Sequence, residues 1–468
     1  MAVQAQDYTQ LSRGQLIFSF SLVTSFFFLW GLSYGLLDVL NQHFLHNFNL
    51  TKVQTTLLQF SYFIAYVSRA TRKAPLTPQL LVSPPMGWVM RRIGYKKGIH
   101  IGLGLFSIGA ILFWPSAKYG KYGMFVAFTF VAASGIATLE VAANTYITVL
   151  GPAKHAGFRL TLAQSFNGIA TVVGPQIGAH AFFNEANKDS LGTVQYVYLA
   201  LAVFALLLNI GVYFAKLPEV RQHVTPEEEQ TMEEQGWRGF LRQRHTLFGF
   251  AAEWFYVGAQ VAVATFTVFY VIEQGGYDSA MGANILSGCQ AVFTVGRFIG
   301  VGYLRYVDPA FSLAVNGVGL VIFSILTSLL HGKAGIGCLF IIFLFESTCY
   351  PVIYSIAVAN LGGYTKIGGG LLCAGVSGGA AYPSMQAALA DVTSSRLSFL
   401  IPMTGFVPLM LYGMGMWAHK CNRRGVWSIW VKDLDGAEEA EKDARESAIR
   451  DLDEKDKAVV HQVESVKQ

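Results

Sequence analysis

Long apolar stretches recur along this 468-residue chain, from about residue 16 to residue 419. A helix needs roughly 20 apolar residues to cross the hydrocarbon core of a bilayer, and most of these stretches have that length. Only 13% of the residues are charged, whereas soluble domains carry about 25%. In lipid, the backbone of such a stretch has to satisfy its hydrogen bonds internally, as a helix does. The sequence therefore predicts an all-α integral membrane protein.

The predicted spans form two sets of six. The first set occupies residues 16–215 and the second 246–419, with a polar cytosolic linker at 216–245. Residues 1–15 are polar and predicted to be disordered, and the charged residues 420–468 are predicted to form a solvated tail. The predicted spans are approximately 16–40, 53–66 joined to 80–90, 98–116, 121–149, 160–182, 194–215, 246–271, 281–303, 310–331, 335–360, 367–391 and 397–419.

The second span is interrupted by residues 67–79, which contain three cations and two prolines. Charges and unpaired backbone groups are costly at lipid depth. Removing the segment joins Tyr66 to Leu80 and restores one ordinary span. Our hypothesis is that the segment is foreign to the working protein, as a translated intron would be. A genuine re-entrant or extramembrane insert is the alternative.

Lysine and arginine favour the loops on the side of the two termini when residues 67–79 are left out. Because cytoplasmic loops carry an excess of these cations, both termini are expected in the cytosol, with the plasma membrane as the expected location. The net charge of +5 reflects these loops and does not indicate a nucleic-acid partner. Asn49, followed by Leu and Thr, matches a glycosylation pattern that is common by chance.

No motif of a common enzyme class stands out. The five cysteines have no metal-ligand spacing, and four of them lie in predicted spans. His43 and His46 have no acidic companion that would complete a metal set, and no Gly-Lys-Ser/Thr phosphate loop occurs. The sequence therefore indicates neither an enzyme nor a metal or cofactor site.

Glu140 lies near the middle of the apolar run 135–152. Asn144 follows four residues later, so both side chains lie on one helix face. An acid in the hydrocarbon core costs several kcal/mol and is expected to face a bundle interior or a watery cavity. A carboxyl group held away from water binds a proton more readily, which suits a proton carrier. A neutral acid bonded to a neighbouring helix is the alternative.

Other predicted spans also carry polar side chains that are candidates for a buried site. Asp38 lies in the first span, Gln164 and Asn167 in the fifth, and Gln260 in the seventh. The pattern resembles the lining of a polar cavity inside a helix bundle.

Three more ionisable residues fall in or near these spans. Glu253 lies towards the end of a span and is expected at the membrane interface. Glu346 is expected to be a structural acid bonded to a neighbouring helix. Arg297 needs a partner, and we expect it to pair with an acid of the cytosolic gate.

The loop between the second and third spans contains Gly87, Arg91, Arg92 and Gly94. It resembles a loop pattern of the major facilitator superfamily, in which an acid stands where this chain has Arg91. The acid expected to lock the cytosolic gate is therefore missing from the loop.

Several ordered stretches carry a more specific resemblance. They are Phe28-Leu-Trp-Gly with Asp38, Leu112-Phe-Trp-Pro-Ser-Ala, Leu139-Glu-Val-Ala-Ala-Asn144, Thr148-Val-Leu-Gly-Pro152 and Phe158-Arg-Leu-Thr-Leu-Ala-Gln-Ser-Phe-Asn167. In these stretches the chain resembles the L-fucose/proton symporter family of the major facilitator superfamily.

This resemblance implies a twelve-helix major facilitator fold, with two six-helix halves around a central cavity and alternating access to it. It implies that Glu140 carries the proton and that Asp38 takes part in sugar recognition and coupling. Asn144, Gln164 and Asn167 match substrate-cavity positions, and Gln260 is a plausible partner from the other half. Family members accept fucose, galactose or glucose.

The sequence thus predicts a monomeric importer of a hexose or deoxyhexose, driven by a proton gradient and without a cofactor. Two alternatives are a proton-driven exporter of a small metabolite and a sugar sensor that does not transport.

Overall fold

The computed structural model describes most of the chain, and its described part consists of helices, the turns and loops between them, and one isolated bridge between Val307 and Trp430. The described residues are 11–48, 61–62, 82–152, 155–182, 191–215, 217–219, 238–277, 279–359 and 361–434. The predictions on residues 67–79, on Asn49 and on the terminal residues 1–10 and 435–468 concern positions outside these ranges.

The first helix group packs mainly within itself, with α1 against α6 and α3 against both α5 and α7. Its members are α1 (Arg13–Asn47), α2 (Ser83–Ile93), α3 (Tyr95–Ile111), α4 (Phe113–Tyr119), α5 (Tyr122–Val149), α6 (Ala156–Phe182) and α7 (Gly192–Phe214).

The second helix group packs in the same way, with α8 against α14 and α15, and α10 against α15. Its members are α8 (Arg244–Gly275), α9 (Ser279–Tyr303), α10 (Pro309–Leu329), α11 (Gly332–Glu346), α12 (Cys349–Ala357), α13 (Thr365–Ala374), α14 (Gly378–Val392) and α15 (Leu400–Arg424).

The predicted all-α membrane fold is confirmed. Within the described ranges, nine stretches are long and apolar enough to cross a membrane. Most predicted spans coincide with observed helices to within a few residues; the span predicted at 121–149, for example, is α5.

Three predicted spans are each divided in two. The third consists of α3 and α4, with Pro115 in the first turn of α4, where a missing backbone N–H is tolerated. The tenth is interrupted by a turn at Ser347 and Thr348, and Pro351 stands in the first turn of α12. In the eleventh, α13 and α14 flank a 3₁₀ turn, Gly375–Ser377, that packs closely on α8.

The two ends of the bundle extend further than predicted. Ser12 caps α1: its hydroxyl accepts from the Gln15 backbone N–H at 3.3 Å, so order begins before residue 16. At the other end, α15 continues to Arg424, and Val431 and Leu434 are buried against the bundle. The prediction of a solvated tail from residue 420 is therefore wrong for residues 420–434, because these two apolar side chains anchor the segment.

Candidate functional site

A cavity lies between the two helix groups and is lined by residues of both. Its wall combines aromatic rings with amide and charged side chains. The lining residues used below are Trp30, Gln164, Asn167, Gln260, Gln290, Phe293, Arg297, Glu346 and Tyr350.

Arg297 of α9 joins the helix groups at this cavity. Its guanidinium donates to the Gln164 carbonyl oxygen at 2.5 Å and to Asn167 Oδ1 at 3.3 Å, both on α6, and to the Ser347 carbonyl oxygen at 3.2 Å. It also lies 4.6 Å from the centre of the Phe293 ring. The predicted pairing with a gate acid is wrong, because oxygens of amide and carbonyl groups and an aromatic face accept this cation.

Glu140 lies behind the cavity wall and is only 2% exposed. The Tyr350 hydroxyl, from α12, donates to Glu140 Oε1 and accepts from Asn144 Nδ2 at 3.1 Å. Gln164 Nε2 in turn donates to Asn144 Oδ1 at 3.4 Å. A chain of hydrogen bonds therefore runs from the cavity wall at Gln164 and Tyr350 to the buried carboxyl of Glu140.

The sequence-predicted residues divide into three groups. Asn144, Gln164 and Asn167 come together in or beside this network, and Gln260 lies across the cavity on α8. Asp38 belongs to α1, but its side chain lies outside the described part. Tyr350 was not predicted as a partner of Glu140; they are 210 positions apart, and no local pattern links them.

Two further acids lie in the interior of the second helix group. Glu253 and Glu346 are both 0% exposed, so the prediction that Glu253 is interfacial is wrong: it faces the bundle beside Gly375. Neither carboxyl has a hydrogen-bond partner within the described ranges. The prediction that Glu346 is bonded to a neighbouring helix is therefore also wrong for its side chain, although its backbone carbonyl accepts from Tyr256 at 2.7 Å.

At one end of the bundle, which we call the gate end, a buried ion pair joins the helix groups. Lys366 Nζ of α13 pairs with Glu219 Oε1, just beyond α7, and donates to the Met90 carbonyl oxygen at 3.3 Å. The Tyr95 backbone N–H, at the start of α3, donates to Glu219 Oε2 at 2.8 Å. Glu219 and Lys366 are 9% and 8% exposed.

The predicted gate loop lies beside this pair. Gly87 packs against the Lys366 backbone so closely that a Cβ atom would collide with it. Gly94 has φ of 87°, a conformation that favours glycine, and ends α2 beside the Glu219 carboxylate. Arg92 stacks over Trp88 at 4.0 Å, and Arg91 also stands in the last turn of α2. The loop lacks an acid, but Glu219 provides one at this end, from a segment assigned to the polar linker.

Comparison with known proteins places the chain in context. Residues 19–397 match the family model described as the Major Facilitator Superfamily. The chain is 34% identical over 403 residues to a glucose/galactose transporter of Brucella abortus, covering 85% of this chain and 93% of the relative. It is 28% identical over 438 residues to the L-fucose-proton symporter of Escherichia coli, covering 88% and 96%.

A solved structure matches along nearly its full length. The crystal structure of the transporter FucP in the outward conformation superimposes with a TM-score of 0.75 at 28% sequence identity. The match covers 86% of this chain and 99% of that one.

Proposed function

Because this chain belongs to the Major Facilitator Superfamily, we propose that it imports a hexose or deoxyhexose together with protons. The observation that carries the proposal is the hydrogen-bonded path from the central cavity through Tyr350 to Glu140. Relatives named as a glucose/galactose transporter and as an L-fucose-proton symporter support both the substrate class and the coupling ion.

The cavity suits a polyol. Amide side chains both donate and accept hydrogen bonds. Gln164, Asn167 and Gln260 can therefore bond to a sugar hydroxyl whether that hydroxyl donates or accepts. The Trp30 ring and its edge-to-face neighbour Tyr350, 6.5 Å away, offer an apolar surface for the C–H face of a sugar ring. Asp38 is proposed as a further sugar-recognition and coupling residue, as the family resemblance implies.

Proton coupling in this proposal depends on Glu140. Protonated from outside, Glu140 accompanies the sugar while the helix groups rock, and it releases its proton inside. Reorientation opens the gate end, so the Glu219–Lys366 pair has to separate in each cycle. Only the fully loaded and the empty carrier reorient readily, and an inward proton gradient therefore drives accumulation.

The remaining features of the proposal follow from this carrier mechanism. The protein works as a monomer with both termini in the cytosol, in the plasma membrane, and its only energy source is the proton gradient. It carries out no covalent step, so no residue is assigned a catalytic role. Arg91 and Arg92 are proposed to hold the gate loop at the cytosolic surface.

The decisive experiment replaces the proposed proton carrier. Glu140→Gln should abolish gradient-driven sugar accumulation in proteoliposomes yet keep sugar counterflow, which needs no net proton movement. Glu273→Gln is the matched control. Glu273 lies near the C-terminal end of the membrane-spanning helix α8, but its side chain is exposed, so coupled uptake should persist. Normal accumulation by Glu140→Gln would remove Glu140 from the coupling role.

A substrate panel tests the wider proposal. Wild-type protein is assayed for uptake of fucose, galactose, glucose and xylose, with and without an inward pH gradient. Accumulation of at least one sugar only with the gradient is expected. Binding without uptake would indicate a sensor, and neither binding nor uptake of any sugar would favour an exporter of another metabolite.

A further inference from the structure

The two walls of the central cavity differ in how their polar groups are satisfied. On the first wall, Gln164 and Asn167 are bonded to Arg297, Asn144 and the backbone. On the second wall stand Gln260 of α8, Gln290 of α9 and Glu346 of α11. None of these three side chains forms a hydrogen bond with another residue of the described ranges.

Glu346 is the costliest of the three to leave without a partner. It is 0% exposed, so water does not compensate its carboxyl in this state. A buried carboxyl without hydrogen bonds is unfavourable in either protonation state, and far more so when ionised. Arg297 lines the same cavity, but its bonds go to Gln164, Asn167 and Ser347. Within the described residues, no group donates a hydrogen bond to the Glu346 carboxyl.

A ligand of the cavity can supply what the protein does not. Sugar hydroxyls are donors, and a carboxylate accepts them through two oxygens. Glu346 contributes to the cavity wall, so a ligand in the cavity lies next to this residue. Gln260 and Gln290, both partly exposed on the same wall, complete a surface that can accept and donate.

We propose that Glu346 is a specificity-determining residue that accepts a hydrogen bond from one hydroxyl of the bound sugar. The proposal rests on the proposed function and deepens it: the first wall holds the sugar near the coupling acid, and the second wall selects among sugars. A substrate that lacks a hydroxyl facing Glu346 leaves the carboxyl unfilled and binds more weakly.

The test pairs variants of the protein with variants of the substrate. The sugar that wild-type protein accumulates best is compared with each of its monodeoxy analogues, as competitors of its uptake. For wild-type protein, one analogue should bind about 10- to 150-fold more weakly than the parent, as expected for a hydrogen bond to a charged group. In Glu346→Met, which keeps a similar shape but loses the acceptor, that analogue and the parent should bind alike.

Glu253→Met is the matched control. Glu253 is equally buried and also lacks a hydrogen-bond partner within the described ranges, but it is not among the cavity-lining residues. The analogue pattern of wild-type protein should persist in this variant. A Glu253 variant that loses the discrimination as fully as Glu346→Met would overturn the assignment to Glu346.

A conservative variant covers the case in which Glu346→Met does not fold, as judged by gel filtration and thermal melting. Glu346→Gln keeps a neutral acceptor, so the discrimination should fall to about 2- to 10-fold. Discrimination that is unchanged in both Glu346 variants, or in Glu346→Gln alone when the other does not fold, would overturn the proposal. Absence of sugar uptake by wild-type protein would instead contradict the proposed function.

Discussion

The gate end and the central cavity each contain a buried acid, but only the acid at the gate end has hydrogen-bond partners for its carboxylate within the described ranges. Glu219, at the gate end, pairs with Lys366 and accepts from the Tyr95 backbone N–H. Glu346, at the cavity, has no hydrogen-bond partner for its carboxyl within the described ranges. The first acid is therefore satisfied by the fold, whereas the second is left for a ligand.

The difference separates what holds a conformation from what recognises a substrate. A contact that closes one end of a carrier has to be complete in that conformation, because it competes with the alternative state. A binding surface has to keep unfilled hydrogen-bonding capacity, because a buried group without a protein partner gains most by meeting the ligand. Variants that remove one partner from each of these contacts test this distinction.

The largest effect is expected from breaking the gate pair. Lys366→Met leaves the carboxylate of Glu219 buried without its cation, and the loss of one partner of a buried ion pair costs about 3–5 kcal/mol. The melting temperature of the purified protein in detergent should fall accordingly. The double variant Glu219→Gln with Lys366→Met should recover most of the loss, because no unpaired charge remains. If the double variant melts no higher than Lys366→Met, charge compensation is not the reason for the loss.

The sequence predicts features that depend on neighbouring residues better than features that depend on contacts between distant parts of the chain. Apolar length alone located most spans, since a membrane helix is defined by a local run of residues. The breaks at Ser347–Thr348 and Gly375–Ser377 were missed, because the apolar character continues through them. What divides these helices is packing against neighbours, which a hydropathy pattern does not contain.

The candidate site shows the same limit. Asn144 was predicted from its spacing to Glu140, and Gln164 and Asn167 from their place inside a predicted span, to which the family resemblance added the substrate cavity. The partner of Glu219 was not found, because Lys366 is 147 positions away and Glu219 stood in a segment assigned to the linker. Likewise, the position of Glu346 inside a span gave no sign that its carboxyl would be left without a partner.

A medium effect is expected within the cavity network. Tyr350→Phe keeps the ring that lies against Trp30 but removes the hydroxyl that donates to Glu140. A hydrogen bond to a charged group contributes about 1.5–3 kcal/mol, so the initial rate of proton-driven sugar uptake should fall about 10- to 150-fold.

Tyr354→Phe is the matched control for this change. Tyr354 stacks on Tyr350 with ring centres 6.4 Å apart, but its hydroxyl bonds to Thr145 at 3.0 Å. Thr145 keeps its bond to the Val141 carbonyl oxygen, so the loss should be only about 2- to 10-fold. Equal losses in the two variants would show that the tyrosines act through packing and not through Glu140.

The smallest effect is expected where a buried acid pairs with a cation that water can reach. Lys420 Nζ lies 2.5 Å from Asp308 Oδ2, and the lysine side chain is 32% exposed. Asp308 Oδ1 also accepts from the Ala310 and Phe311 backbone N–H groups at the start of α10. Lys420→Met therefore leaves this acid with two donors and nearby water, and should cost about 1 kcal/mol or less. A fall in melting temperature as large as that of Lys366→Met would show that burial of the cation does not decide the strength of these pairs, and the contrast between Glu219 and the other buried acids would then need another cause.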